Sequence, residues 1–555
     1  QWTFPLLISP HDNETIYVTS QHVHKTTNRG QSWEVISPDL SLDDESMQGF
    51  SGGLTGDNIN VEYGNVIYAL DESPVEKGVL WAGTNDGLVH ISRNGGDTWE
   101  NVTRNIPGLP KLGVIRNINA SKWDAGKAYI SVEFHQVGNF APYAYKTSDY
   151  GKSWTKIVSG IPINQLSYVR NIKEDPVREG LLYLGTENAL YLSYDDGRSW
   201  QSMMTNLPPA PMYWIDIQEE FNDLVIGTYG RGIWIMDDLS SIQQMNTDIS
   251  KSSAHLFKPK KMIRFRPVTG NMQFFPEPHF GNDPPYGGAI DYWLLENNDD
   301  VKLHIVDSNG DTIRTLKHKG KKGINRVMWD FKGEASDDMD LHMKPLHANW
   351  FEMDKNGNRK SLVGKISVIS PPGMYTVKTT IGESSFEQPI ELVKDPNSEG
   401  TEQDIMAQIN MLNALKNDMN ATTAIIDKVE DLRKQLKDID QMLSTTQRKL
   451  LKEDISSLSE VLVSFESKLM QLKATGFGQD AVRWHAKLAE KIFYLASTVA
   501  TADFAPADPH IEVHELLQSK ITEYQSELKS IIENDVNAFQ VKLKDNQIHL
   551  MNINE

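Results

Sequence analysis

Four segments of this 555-residue chain fit one template, Ser/Thr-x-Asp/Asn-x-Gly-x-x-Trp. That repeat restricts the possible folds more than any other feature of the sequence. The segments are Thr26–Trp33, Ser92–Trp99, Thr147–Trp154 and Ser193–Trp200. Their fixed positions are Asn28, Gly30 and Trp33; Asn94, Gly96 and Trp99; Asp149, Gly151 and Trp154; and Asp195, Gly197 and Trp200. Gly supplies positive φ in a hairpin turn, and the Asp or Asn oxygen accepts hydrogen bonds from turn amides. The Trp is expected to bury apolar area against its own sheet. The four tryptophans lie 66, 55 and 46 residues apart. Each spacing holds one four-stranded unit plus loop insertions, which is the period of β-propeller blades.

A second repeat supports that reading. Leu80–Thr84, Leu182–Thr186 and Leu224–Thr228 each read as a short buried strand ending in Gly-Thr. The turns Ser9-Pro10, Ser73-Pro74 and Asp175-Pro176 mark corresponding positions upstream. About four and a half blades fit between Gln1 and Ile242, the last, Met212–Asp238, having lost its hairpin. Propellers close with about 4–8 blades. The start in Trp2-Thr3-Phe4 is read as the rear part of a larger propeller whose front blades lie upstream.

The fold class expected is multidomain and mainly β. Residues 1–250 form a partial propeller. Residues 251–397 form an immunoglobulin-like β-sandwich, with strands over Ala289–Leu295, Val301–Asp307, Thr312–Leu316, Gly323–Phe331, 371–377 and Gln388–Val393. Within it the polar segment Glu334–Lys360 reads as an inserted loop. Residues 398–555 carry apolar positions at helical spacing, with helices over Glu402–Gln441, Lys452–Lys473, Asp480–Thr501 and His510–Leu543. Their spacing is not a sustained heptad, so an antiparallel bundle is expected.

Composition narrows the function. A formal net charge of −20 argues against a nucleic-acid groove. The basic stretch Lys258, Lys260, Lys261, Arg264 and Arg266 reads as a solvated strand edge. There are no cysteines, which excludes disulfides, thiolate metal sites and cysteine nucleophiles. No apolar run reaches the length, about 18 residues, of a membrane span.

The four hairpins, together with Gly227-Thr228-Tyr229-Gly230-Arg231-Gly232-Ile233-Trp234, resemble the C-terminal half of large bacterial BNR/Asp-box proteins. These belong to the sortilin-type propeller superfamily common in Bacteroidota. Gly323–Asp330 and 371–375 are similar to the immunoglobulin-like module of such proteins. The resemblance implies an exported protein, secreted, periplasmic or on the outer-membrane surface. Relatives are often labelled glycosyl hydrolases, a label that rests on the propeller alone.

Two Asp-box enzyme families give concrete patterns to look for. Sialidases need three arginines, a Tyr nucleophile and acidic partners. Arg116, Arg170, Arg178, Arg198 and Arg231 are present, but none lies in a sialidase motif. Xyloglucanase-type enzymes set two carboxylates across a cleft between tandem propellers, and one partial propeller cannot build that cleft.

The candidate ligand-binding residues come from strands and loops of the propeller. His22 and His24 alternate on one strand face, as do Glu133 and His135. His-x-His with a carboxylate is a zinc pattern, but the reading preferred is polar rim residues, with no metal and no cofactor. Asp57 and Glu62 sit in a Gly-rich insertion, Ser51–Tyr63. Tyr213, Trp214 and Asp216 place aromatics beside a carboxylate, a combination that suits sugar stacking. Tyr229 and Arg231 flank a glycine near the expected channel mouth. The leading expectation is a binding and assembly protein that recognises a peptide, protein or glycan at the propeller. The alternative is a glycoside hydrolase using a pair among Asp57, Glu62, Glu133 and Asp216. Further partners expected are upstream blades, or an envelope machine docked by the helical tail.

Overall fold

Each tryptophan hairpin joins the third and fourth strands of an antiparallel sheet. The computed structural model describes residues 4–49, 64–266, 281, 283–348, 350–476 and 483–548, and it forms two units, Gln1–Ser250 and Lys251–Glu555. In the first unit, β1 (Leu6–Ile8), β2 (Ile16–Thr19), β3 (Val23–Thr26) and β4 (Glu34–Val35) make the first sheet. The second is β5 (Ile67–Glu72), β6 (Leu80–Thr84), β7 (Val89–Ser92) and β8 (Glu100–Asn101). The third is β9 (Val114–Ala120), β10 (Ala128–Phe134), β11 (Asn139–Thr147) and β12 (Thr155–Lys156). The fourth is β13 (Val169–Glu174), β14 (Leu182–Thr186), β15 (Leu190–Ser193) and β16 (Gln201–Ser202). The fifth has three strands, β17 (Met212–Gln218), β18 (Asp223–Thr228) and β19 (Ile233–Met236), because its hairpin is missing.

The hairpins close as their residue types demand. In the second, Ser92 Oγ accepts Gly96 N–H at 2.9 Å and donates to Asn94 Oδ1, which also accepts Thr98 N–H at 2.9 Å. The other three repeat this pattern. Gly30, Gly96, Gly151 and Gly197 all take positive φ. The tryptophans, however, do not serve their own sheets. The Trp99 indole N–H donates to Ile36 O of the first sheet at 2.9 Å. The Trp154 ring packs edge-on against Trp81 of the second sheet, 5.9 Å between centroids. Trp200 donates to Ile157 O of the third at 2.8 Å. Each of these three therefore seals its sheet to the preceding one. Trp33, in the first sheet, is 45% exposed.

Successive sheets share four apolar cores, first with second, second with third, third with fourth and fourth with fifth. The Gly of each Leu-x-x-Gly-Thr strand makes this stacking possible. A Cβ on Gly83 would lie 2.3 Å from the Ile115 side chain of the next sheet, and one on Gly185 would lie 2.5 Å from Met212 O. Among the described residues the outer face of the fifth sheet has no such neighbour. Ile233 and Ile235 are 73% and 60% exposed, whereas Leu190 and Leu192, at the same register positions of the fourth sheet, are 0% and 5% exposed. On the first sheet Leu6 and Ile8 are likewise exposed.

The second unit joins sheets and helices. One sheet has the order β20 (Ala254–Leu256), β22 (Gly288–Leu294), β25 (Gly323–Trp329). The other has the order β21 (Met262–Arg264), β27 (Ser384–Lys394), β26 (Gly373–Ile381), β23 (Asn298–Val306), β24 (Thr312–Gly320). Both contribute to one core around Trp329, Ile290, Leu303 and Val377. The helices α1 (Glu402–Met442), α2 (Thr445–Leu469), α3 (Leu488–Val499), α4 (Asp508–Ile531) and α5 (Asn537–Asp545) pack around a second core. Among the described residues no helix is long and apolar enough to cross a membrane.

The sheets at 251–397 and the helices beyond fall in one unit. The inserted segment Glu334–Lys360 is strapped onto the first long helix. Asp337, Asp340, His342 and Met343 N–H groups donate to Asn420, Asp427 and Glu430 on α1. The basic stretch is likewise only partly a solvated edge. Arg264 is buried on β21, and its guanidinium bonds Asp503 Oδ1 at 2.6 Å and Ser370 O at 2.9 Å. Arg266 joins it on Asp503 at 2.8 Å. An unpaired guanidinium could not be buried there, so the carboxylate after α3 dictates where the strand lies.

Candidate ligand-binding site

The first strand of sheets two to five carries a β-bulge at one equivalent position. The register slips between Ile67 and Ala69, between Ile115 and Asn117, between Val169 and Asn171, and between Met212 and Trp214. The residues left over are Tyr68, Arg116, Arg170 and Tyr213. A bulge re-aims the extra side chain out of the pleat, and these four are turned toward one another. The Arg116 guanidinium lies over Tyr68 at 4.8 Å and over Tyr213 at 4.4 Å. Arg170 lies over Tyr213 at 5.6 Å and over Tyr168 at 4.8 Å. A residue of the third sheet thus stacks on one of the fifth, which requires the first strands to converge on a common axis. That convergence makes the fold propeller-type.

The two arginines differ in what surrounds them. Arg170 bonds Glu133 at 2.6 Å and Glu187 at 2.8 Å, so its charge is matched. Burial pushes the Tyr168 phenol up to about 12, with Glu187 adding to the shift. It therefore stays protonated as a donor at neutral pH. Arg116 has no carboxylate within 4 Å among the described residues, and none of its N–H groups is matched by an acceptor there. Two tyrosine rings lie against it. It is half-buried in this position.

The sequence candidates fall into three groups. Glu133, His135 and Tyr213 belong to the cluster: His135 stacks on Tyr168 at 4.4 Å, and Tyr229 lies 5.9 Å from Tyr213. Arg231, Trp214 and Asp216 lie outside it. Arg231 is exposed and its carbonyl accepts the Trp234 indole N–H at 3.0 Å. Trp214 is exposed, and Asp216 pairs with Lys173 at 2.9 Å. His22 and His24 sit in the first sheet, bonded to Ser37 O and Ser20 Oγ. Burial, and then the neighbouring His22, lowers the His24 pKa. Among the described residues no three metal-ligating groups of His, Asp or Glu come together. Asp57 and Glu62 lie outside the described residues. The sequence reading missed Tyr68 and Tyr168, and it treated Arg116 and Arg170 as isolated arginines.

No family model matches the chain, and no curated protein sequence matches it. Solved structures do. A GH74 xyloglucanase from Xanthomonas campestris is 18% identical with a TM-score of 0.34, over 42% of this chain and 36% of that one. An ancestral GH74 enzyme is 14% identical with a TM-score of 0.32, over 69% of this chain and 46% of that one. A YCF48 protein bound to D1 peptide is 16% identical with a TM-score of 0.23, over 40% of this chain and 76% of that one. The chain thus spans less than half the length of both GH74 structures.

Proposed function

We propose that this chain is an exported Asp-box propeller protein that binds a ligand, peptide or glycan, at the surface formed by its bulged inner strands. The second unit, read as an immunoglobulin-like module with a helical bundle, would serve to orient or attach that surface. The observation that carries the reading is the Tyr68–Arg116–Tyr213 stack. A half-buried guanidinium held against two rings, with no acceptor for its N–H groups among the described residues, is a preformed recognition group. A hydrolytic role has less support. Glu133 is engaged by Arg170 and Asp216 by Lys173, so neither is placed as one of two carboxyls facing a substrate.

The test is binding by the intact chain on peptide and glycan arrays, repeated with Arg116→Ala and Tyr213→Ala. Ligand capture by the wild type that both variants lose supports the proposal. Silence on both arrays, or capture that neither substitution alters, overturns it. Release of reducing sugar from a polysaccharide panel, abolished by Glu133→Gln, would instead favour the hydrolase.

A further inference from the structure

We infer that the groove between α3 and α4 of the second unit docks an acidic amphipathic helix of a partner protein. The inference rests on the attaching role proposed above for that unit and specifies its partner.

Helical spacing lines the two walls. Lys487, just before α3, and Lys491, Tyr494, Leu495 and Thr498 on it make one wall. Val513, Leu516, Leu517, Lys520 and Tyr524 of α4 make the other. Each set recurs at the i, i+3, i+4, i+7 steps of a single helix face. The space between them measures about 930 Å³. Leu495 and Leu517 are buried in the helical core, yet the rim is apolar and wet: Tyr494 is 74% and Leu516 58% exposed, and Val513 is exposed as well. Clustered apolar area of this kind marks a surface that another macromolecule covers. A small molecule takes a concave site that buries most of it, about 70–90% of its surface. Filling this groove with one would leave Tyr494 and Leu516 in water. A third helix laid along α3 and α4 covers walls and rim together.

The charges choose the sign of that helix. Lys468 pairs with Glu527 and Lys520 with Glu523, at 2.6 and 2.7 Å. Lys487 and Lys491, one helical turn apart on the α3 wall, have no carboxylate within 4 Å among the described residues. Glu490, the one acidic residue of the lining among the described residues, already accepts the Gln471 and Lys487 backbone N–H groups at 2.9 Å each. The α3 wall therefore keeps two unmatched cations, in a chain whose acidic residues outnumber the basic ones by 75 to 55. Asp or Glu on successive turns of a partner helix would meet them and set its register. The apolar stripe supplies the affinity and the charges the selectivity.

Synthetic peptides with one leucine stripe at helical spacing serve as probes, in a Glu-faced form, a Lys-faced form and a scrambled Glu form. Affinities of the intact protein are measured by fluorescence anisotropy, with oleate and phosphatidylglycerol vesicles as competitors. The Glu-faced peptide should bind about tenfold or more tighter than either other peptide. Leu516→Asp should weaken it by a similar factor. Lys487→Glu combined with Lys491→Glu should turn the preference toward the Lys-faced form, and acidic residues at a helix start are well tolerated. The peptide comparison uses wild-type protein, so it stands even where a variant misfolds. Equal binding of the Glu-faced and Lys-faced forms, or of the scrambled one, overturns the inference, as does binding of none. Oleate or vesicles that displace the peptide assign the groove to a lipid and overturn it too. So does self-association in sedimentation that Leu516→Asp abolishes, since the occupant is then a second copy. Binding of array ligands by the same protein is read separately, so failure at the groove leaves the inner-strand reading standing where that binding persists.

Discussion

The indole N–H of Trp200 donates to the carbonyl of Ile157 at 2.8 Å, tying the fourth sheet of the first unit to the third. The side chain is buried, as is that of Trp154, while Trp33 is half-exposed because no sheet precedes its own among the described residues. One motif position therefore has two energetic weights. Trp200→Ala leaves a cavity between two sheets and strands the Ile157 carbonyl, and should cost about 3–5 kcal/mol. Trp33→Ala should cost about 1 kcal/mol or less, as for an exposed residue. Urea unfolding of both variants measures the difference, and equal costs would show that the hairpin tryptophans do not act between sheets.

Glycine substitutions give a change of sign. A Cβ on Gly185 meets Met212 O at 2.5 Å and Met212 Cβ at 2.7 Å, so Gly185→Ala must push the fifth sheet away. Overpacking of that kind costs about 1–3 kcal/mol. A Cβ on the equivalent Gly227 meets Trp214 Cβ at 3.6 Å and Trp214 O at 3.9 Å, ordinary contacts, and Gly227 does not adopt positive φ. Gly227→Ala should be neutral or stabilise by about 0.4–1 kcal/mol through the unfolded chain. Thermal unfolding of the pair decides it, and destabilisation by both would mean that the Gly serves the strand itself rather than its neighbour.

In the second unit, Asp503 carries two arginines at once. Burial would raise its pKa, but the hydrogen bonds and charges of Arg264 and Arg266 outweigh that and hold it below the ordinary carboxylate range. Asp503→Ala leaves Arg264 buried without its partner and should cost about 3–5 kcal/mol. Arg264→Met combined with Asp503→Leu should recover most of that loss. Chemical denaturation of the single and double variants tests it, and a double variant no better than the single one would locate the damage elsewhere.

What the sequence made legible follows the range of the chemistry. The tryptophan hairpins are local, with Ser or Thr, Asp or Asn, and Gly closing a turn within five residues, and they were readable at once. The loss of the fifth hairpin was equally plain at Met212–Asp238. The start of α2 has a local signature too: Ser444 and Gln447 form a capping box, which begins the helix before the expected Lys452. The site was hidden because Tyr68, Arg116, Arg170 and Tyr213 have no motif of their own. Each follows an apolar residue, Ile67, Ile115, Val169 or Met212, and only the register of the paired strands puts them in one column. The Arg264–Asp503 contact spans 239 residues and has no local signature at all. Nor does the direction of the tryptophans, which depends on the neighbouring sheet rather than on the hairpin.

Between α1 and α2 lies a pair of buried carboxyls that should give this unit an unusual pH response. Glu430 and Glu466 are fully buried, and Arg433 serves both, pairing with Glu466 and lying 3.8 Å from Glu430. Glu430 Oε2 also accepts the His342 and Met343 N–H groups at 2.9 Å. Among the described residues Oε1 of each carboxyl faces no donor, a need that one proton held between the two would meet. Burial, against the pull of Arg433 and with the push of Glu430, raises the Glu466 pKa from 4.5 to about 8. The folded state therefore binds more protons than the unfolded chain between those two values. Stability from this group is complete below the unfolded pKa and is lost as pH rises toward and through the folded one, by at most about 1.4 kcal/mol per pH unit. Glu466→Gln keeps a hydrogen-bonding amide without the ionisation. It should match the wild type near pH 5 and exceed it in thermal stability at pH 9, with a flatter profile between. A wild-type stability that climbs from pH 6 to 9, or a Gln variant with the same slope, would show that these carboxyls do not share a proton in the folded protein.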